Sequence, residues 1–183
     1  MYFESKGKEN TKSTIDLALK TEEERGIKNI VVASSKGETA KLLKNKSAIN
    51  VVVVTHANGY PEAGKNELSE EVREELQSDG IKVLTTTHVL SGAERGISKA
   101  FGGVSPVELI AQTLRLFGQG TKVCVEIAVM ALDAGMIPFQ EPVIAIGGSG
   151  HGADTAIILT PSHASSIFDT KIHEFICKPS LYK

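Results

Sequence analysis

The chain has 183 residues, 41% apolar and 23% charged, with a formal net charge of -2 at pH 7. That length supports a single α/β domain over residues 1–183 with a proper core. The charge excludes broad attraction to nucleic acid or an anionic membrane, and an apolar run such as VVVVT (51–55) is far too short to span a bilayer.

The N-terminal stretch MYFESKGKENTKS is polar and mixed in charge, unlike a signal peptide. TIDLALKTEEERG then places Ile15, Ala18 and Leu19 on one helical face and ends at Gly26. NIVVAS is a short buried strand, GETAKLLKN a short helix and INVVVVTH a second strand. NELSEEVREELQSDG carries Leu68, Val72 and Leu76 at four-residue spacing, which predicts an amphipathic helix. IKVLTTTH is a third strand.

VLSGAERGISKAFGGV (89–104) reads as a long glycine-containing loop, of the kind that forms lids and binding loops. SPVELIAQTLRLFGQG has a strong helix start: Ser105 as N-cap, Pro106 at the first position and Glu108 completing a capping box. Val107, Ile110, Ala111, Leu114 and Phe117 form its apolar face, and Gly118 ends it. TKVCVEIAVMALDAG is the next helix, capped by Thr121 and stopped at Gly135. It is apolar nearly all round, with Lys122, Glu126 and Asp133 as a narrow polar stripe. Such a helix packs in the core or shares its burial with a second copy in a homo-oligomer.

EPVIAIGG is a fourth strand, TAIILTP a fifth, and KIHEFICKP a last strand at the sheet edge. Alternating strands and helices predict a mostly parallel sheet with helices on both faces. The link SGHGAD is too short for a parallel crossover, so the fourth and fifth strands form an antiparallel edge hairpin. Cys124 and Cys177 lie far apart, outside any CxxC pair, and read as buried thiols of a cytoplasmic protein.

Ligands of open parallel sheets bind beyond the carboxyl ends of the strands, at the point where strand order reverses. Here those ends read Ser34-Ser35-Lys36-Gly37, Thr55-His56-Ala57-Asn58, Thr85-Thr86-Thr87-His88 and Gly147-Gly148-Ser149-Gly150-His151. The first is the sharpest case. A helix starting near Gly37 or Glu38 turns free N–H groups toward a ligand, with hydroxyls from Ser34, Ser35 and Thr39 and the charge of Lys36. The alternative is a plain N-cap with a solvated lysine. GGSGHGAD does not match the dinucleotide fingerprint, because a strand follows it. Its glycines serve a hairpin, a ligand wall, or both.

His56 and His88 each follow a strand end and are candidate acid/base residues, though a loop histidine near the surface is the plainer reading of either. His163 and His173 read as structural. The five histidines show no HxH or HExxH spacing, so no metal site is expected. Arg95 is either a clamp for a phosphate or carboxylate or a solvated charge. Glu126 either reaches a pocket, sits at the helix surface or pairs with Lys122. No hydrolase triad or paired-carboxylate motif stands out, so the residues alone name no reaction.

IKNIVVASSKGETAKLLKN resembles the segment of pyruvate kinase C-terminal domains in which strand, loop and helix hold a phosphorylated effector sugar. The stretches from His88 to Pro138 and from Val143 to Pro161 resemble stand-alone archaeal proteins described as pyruvate kinase alpha/beta domain-like. The resemblance implies a three-layer α/β/α sandwich. It places the effector-loop match on Ser34, Ser35, Lys36, Gly37, Glu38 and Thr39. The kinase's catalytic barrel has no counterpart in this sequence, so pyruvate kinase activity is not expected. The SGAERG and GGSGHGAD segments have no counterpart in the kinase domain, which implies a different ligand at a related site.

The leading expectation is a protein that binds a phosphorylated small molecule, with FMN as the cofactor. Its phosphate would sit on Ser34–Thr39, its ribityl chain against Thr87 and Ser149, and its ring against Gly147, Gly148 and Gly150. Thr55, His56, Thr86, His88 and Arg95 complete the site. Aromatic residues are only 5%, with no tryptophan, so no stacking platform is evident. The alternatives are an enzyme on a sugar phosphate using His56 or His88, and a non-catalytic effector-sensing module.

Overall fold

The computed structural model describes residues 1–46 and 48–182. The strands are β1 (Tyr2–Phe3), β2 (Asn29–Ala33), β3 (Asn50–Val54), β4 (Lys82–Leu84), β5 (Val143–Gly147), β6 (Thr155–Thr160) and β7 (Lys171–Pro179). They form one sheet in the order β1-β7-β6-β5-β2-β3-β4. β5, β2, β3 and β4 run parallel, β6 is antiparallel to both neighbours, and β1 runs parallel to β7.

The central strands read as unbroken apolar runs because both their faces are covered. Ile30, Val32, Val51, Val53, Ile144 and Ile146 face one core, with Ile15 and Ala18 of α1 (Thr11–Arg25) and Leu76 of α3 (Glu70–Ser78). Val31, Val52, Val54, Val143 and Ala145 face the other, filled by α6 (Gln119–Asp133). The alternation follows from the two-residue period of a strand, and the register Ile30↔Val51 and Ile30↔Ile144 keeps like faces together. The result is the three-layer α/β/α sandwich.

The remaining helices are α2 (Glu38–Lys41), α4 (Ala93–Phe101) and α5 (Pro106–Arg115). The chain runs outward from β2 through β3 to β4, then returns through α4, α5 and α6 to lay β5 on the other side of β2. The strand order therefore reverses between β2 and β5, and their carboxyl ends flank the switch point. No helix among the described residues is long and apolar enough to cross a membrane.

Several local expectations are corrected. The 89–104 segment is not a loop: Ala93–Phe101 is helical, with Gly96 inside it. The next helix begins at Gln119 with Gly118 in the cap position, so Thr121 lies inside it and its hydroxyl donates to the Phe117 carbonyl at 3.1 Å. α2 is one turn long rather than running to Asn45. The β5–β6 hairpin is not the edge, because β7 continues the sheet and β1 covers Lys178 and Pro179 of β7. The capping box of α5 forms as expected, with Glu108 accepting from the Ser105 N–H at 2.9 Å.

Candidate functional site

At the switch point, Ser34 extends β2 by one bond, its N–H donating to the Val54 carbonyl at 3.0 Å. Its hydroxyl turns inward and accepts the Ala40 N–H at 3.4 Å, which closes the turn into α2. Gly37 takes φ 87°, and a methyl carbon there would stand 2.5 Å from Val72 Cγ1 of α3. The loop thus packs tightly onto α3 and leaves Lys36 exposed. Thr39 is buried.

Glu38 does not point to an empty crevice. Its carboxylate pairs with Lys8 at 2.8 Å, and that contact holds it below the ordinary carboxylate value, with smaller help from Lys36 and His151. Three basic side chains therefore gather about one carboxylate at the switch point. Lys8 belongs to a short 3-10 turn (Lys8–Asn10) that lies across this edge. The anchor is Asp154, fully buried, which accepts the N–H groups of Gly7 at 2.9 Å and Ser149 at 3.1 Å and the Thr155 hydroxyl at 2.8 Å. Thr11 Oγ1 accepts the Ala153 N–H at 3.0 Å. At Gly152, φ 72°, a methyl carbon would collide with Thr11 Oγ1 and stand 2.8 Å from Lys8 Cα. The glycine-rich turn is thus shaped by the N-terminal segment folded against it. Gly148 is similarly closed in by the Gly152 carbonyl, whereas Gly150, φ 96°, faces open space. Gly147 packs against the Gly120 carbonyl in the first turn of α6, which brings that helix start to the same edge.

The ends of β3 and β4 hold a denser polar network. Thr55 and Thr85 share a hydrogen bond between their hydroxyls at 2.7 Å, and Arg73 Nη2 donates to Thr85 Oγ1 at 2.8 Å. His56 binds the Glu67 carboxylate through Nδ1, with Tyr60 edge-on at 4.8 Å between ring centroids. The His56 side chain is 41% exposed. The His88 ring lies 6.0 Å from it, with Nε2 at 3.0 Å from the Thr55 carbonyl and Nδ1 at 3.3 Å from Glu126 Oε2. Glu126 also pairs with Lys122 and accepts the Leu90 N–H at 3.0 Å.

Glu126 and Lys122 are 2% and 4% exposed, so of the polar stripe of α6 only Asp133 reaches the surface. Burial alone would raise Glu126, but His88 and Lys122 hold it below the ordinary carboxylate value. Burial pushes Lys122 down despite Glu126. Burial also works against the His88 cation, yet Glu126 overrides it and the imidazole titrates above its ordinary value.

The structure therefore brings Ser34–Thr39, Thr55, His56, His88 and Gly147–Ser149 to one edge. Thr86 and Thr87 are exposed beside it, with the Thr87 methyl group against Gly92. Arg95 lies exposed on α4 and adds to the forces that hold Glu108 below the ordinary carboxylate value, after Ser98 and Ser105. His163 pairs with Asp133 at 2.7 Å and His173 with Thr160 at 2.8 Å, both away from this edge. Lys8, Glu67, Arg73 and Asp154 were not found from sequence. Among the described residues no group of three metal-binding side chains comes together.

A family model for the pyruvate kinase alpha/beta domain matches residues 12–159. Solved structures with a similar chain include a pyruvate kinase from Cryptosporidium parvum and a Cryptosporidium parvum pyruvate kinase in complex with ADP. Each has a TM-score of 0.41 at 14% identity, covering 81% of this chain and 22% of the enzyme's. The chain spans about a fifth of the length of those enzymes.

Proposed function

The chain belongs to the pyruvate kinase alpha/beta domain family, and on that premise we propose that it binds a small phosphorylated molecule at the carboxyl edge of β2, β3 and β4 and acts on it by proton transfer. The observation that carries this reading is a pair of imidazoles, His56 and His88, 6.0 Å apart, each backed by a carboxylate and set beside the Ser34–Gly37 loop. An imidazole oriented by a carboxylate and left with one ring nitrogen unpartnered among the described residues, as His56 is beside Glu67, suits acid–base work near neutral pH. Exposed Lys36, beside the Lys8–Glu38 pair, supplies positive charge for a phosphate at the switch point.

FMN is the first specific ligand of this class to test. The experiment is an absorption spectrum of freshly purified protein with mass analysis of any small molecule released on denaturation. Calorimetric titration with FMN and a panel of sugar phosphates follows. A bound phosphorylated ligand whose affinity falls about tenfold in Lys36→Ala supports the reading. Binding without turnover makes the domain an effector-sensing module. A protein that releases no ligand and binds neither FMN nor any sugar phosphate overturns it.

A further inference from the structure

The hydrogen bonds of the two histidines are not equivalent. His88 Nε2 stands 3.0 Å from a backbone carbonyl, Thr55 O, which can only accept. His88 Nδ1 stands 3.3 Å from Glu126 Oε2, whose carboxylate is already deprotonated beside Lys122. Two acceptors on one ring require two N–H donors, and only the imidazolium has both. A neutral tautomer would leave one nitrogen lone pair facing an oxygen. His56 differs. Its Nδ1 meets Glu67, while its Nε2 has no hydrogen-bond partner among the described residues.

We infer that His88, as an imidazolium, positions the Thr55 segment through its own Nε2 and the Leu90 segment through Glu126, and that His56, oriented by Glu67, is the proton-transfer residue of the site. The second half rests on the ligand site proposed above. The charged groups around His88 are Glu126 and Lys122 from α6 and, when protonated, His56 from the end of β3. Arg95 of α4 and Arg115 of α5 act on Lys122 from outside this group. One carboxylate thus serves two cations, and the His88 charge is already engaged on both sides. His88 therefore has no free nitrogen with which to take a substrate proton. His56 Nε2 is free of such a partner among the described residues, on a side chain that is 41% exposed.

The test is a nitrogen-15 NMR titration of the histidine rings in the ligand-free full chain, with His88 assigned by the loss of its signals in His88→Gln. Both His88 nitrogens should carry protons at pH 6.5, with a midpoint above the ordinary 6.5 that moves down in Glu126→Gln. A midpoint at or below 6.5, or one bare nitrogen below that pH, overturns the assignment in the unmodified protein, whether or not the variant folds. In parallel, diethylpyrocarbonate reports a neutral, reachable ring nitrogen, which attacks the reagent's carbonyl and expels ethyl carbonate. Peptide mapping should find the adduct on His56, and no adduct there overturns its role. Both readouts are made without ligand, so they stand apart from a failure to bind phosphorylated molecules.

Discussion

Leu90 gives its backbone N–H to Glu126 Oε1 at 3.0 Å, so a carboxylate on α6 holds the chain where it leaves β4 for α4. The same carboxylate is the counter-charge of Lys122, which has almost no contact with water. Glu126→Ala leaves that ammonium buried and unpaired and frees the Leu90 N–H. Removing one partner of a buried pair costs roughly 3–5 kcal/mol. Urea unfolding should show a loss of that size, most of it recovered in the double variant Glu126→Leu with Lys122→Met, which removes both charges. Full stability in Glu126→Ala would contradict the buried pair.

Of the three titrating partners in this network, His88 and Glu126 respond to pH in opposite directions, and Lys122, lowered by burial, works against the folded state while it is charged. His88 is raised in the folded chain, so its contribution is complete below 6.5 and is lost as pH rises through the raised value. Glu126 is lowered, so its contribution is present above 4.5 and is lost as pH falls through the lowered value. Together they favour the folded state most between 4.5 and 6.5. Raising the pH from about 6 to about 8, where ordinary lysines stay charged, should lower the urea midpoint of the parent chain. The drop should be smaller in His88→Gln, and equal drops would remove His88 as its source.

Asp154 carries the attachment of the N-terminal segment. Asp154→Ala strips partners from the N–H groups of Gly7 and Ser149 and from the Thr155 hydroxyl. Each buried donor left unsatisfied costs about 1–3 kcal/mol, and the part that can reach water escapes by moving out. Residues 7–11 are that part. The variant should therefore be cut by trypsin at Lys6, Lys8 or Lys12 under conditions in which the parent resists. An unchanged digestion pattern would show that Lys8 and Thr11 hold the segment without Asp154.

How much of this was legible in the sequence follows from the range of the interactions. The start of α5 was readable because Ser105, Pro106 and Glu108 act within one turn. The central strands were readable because burial on both faces leaves a continuous apolar run. Polar strand ends such as Ser34 and Thr55 marked the carboxyl edge of the sheet for the same local reason. α4 was hidden by Gly92, Gly96 and Gly102, which signal loop. Its apolar positions Ala93, Ile97 and Phe101 have helical spacing, but they stay exposed and no residue of the helix is buried, so packing against the core does not define it. Glu67 and Asp154 were missed because their partners, His56 and Gly7, lie 11 and 147 residues away. Lys122 and Glu126 were visible as a four-residue pair, but His88 and Leu90, which close over Glu126, come from the segment after β4, 38 and 36 residues away.

Gly37 sets the geometry of the loop proposed to hold phosphate, and two separable effects fix it as glycine. Its φ of 87° is unfavourable for any residue with a β-carbon, by roughly 1–2 kcal/mol. A β-carbon would also stand 2.5 Å from Val72 Cγ1 and 3.2 Å from Leu68 Cδ1, an overpacking that costs about 1–3 kcal/mol. Gly37→Ala should therefore destabilise by the sum, and Val72→Ala in the same chain should restore only the packing part. A double-mutant cycle read by urea unfolding separates the two. Full rescue would mean that the backbone at residue 37 is free to leave the left-handed region, and no rescue would mean that α3 does not press on the loop. Partial rescue is the expected result, because packing against Val72 and the left-handed turn are independent constraints on one atom.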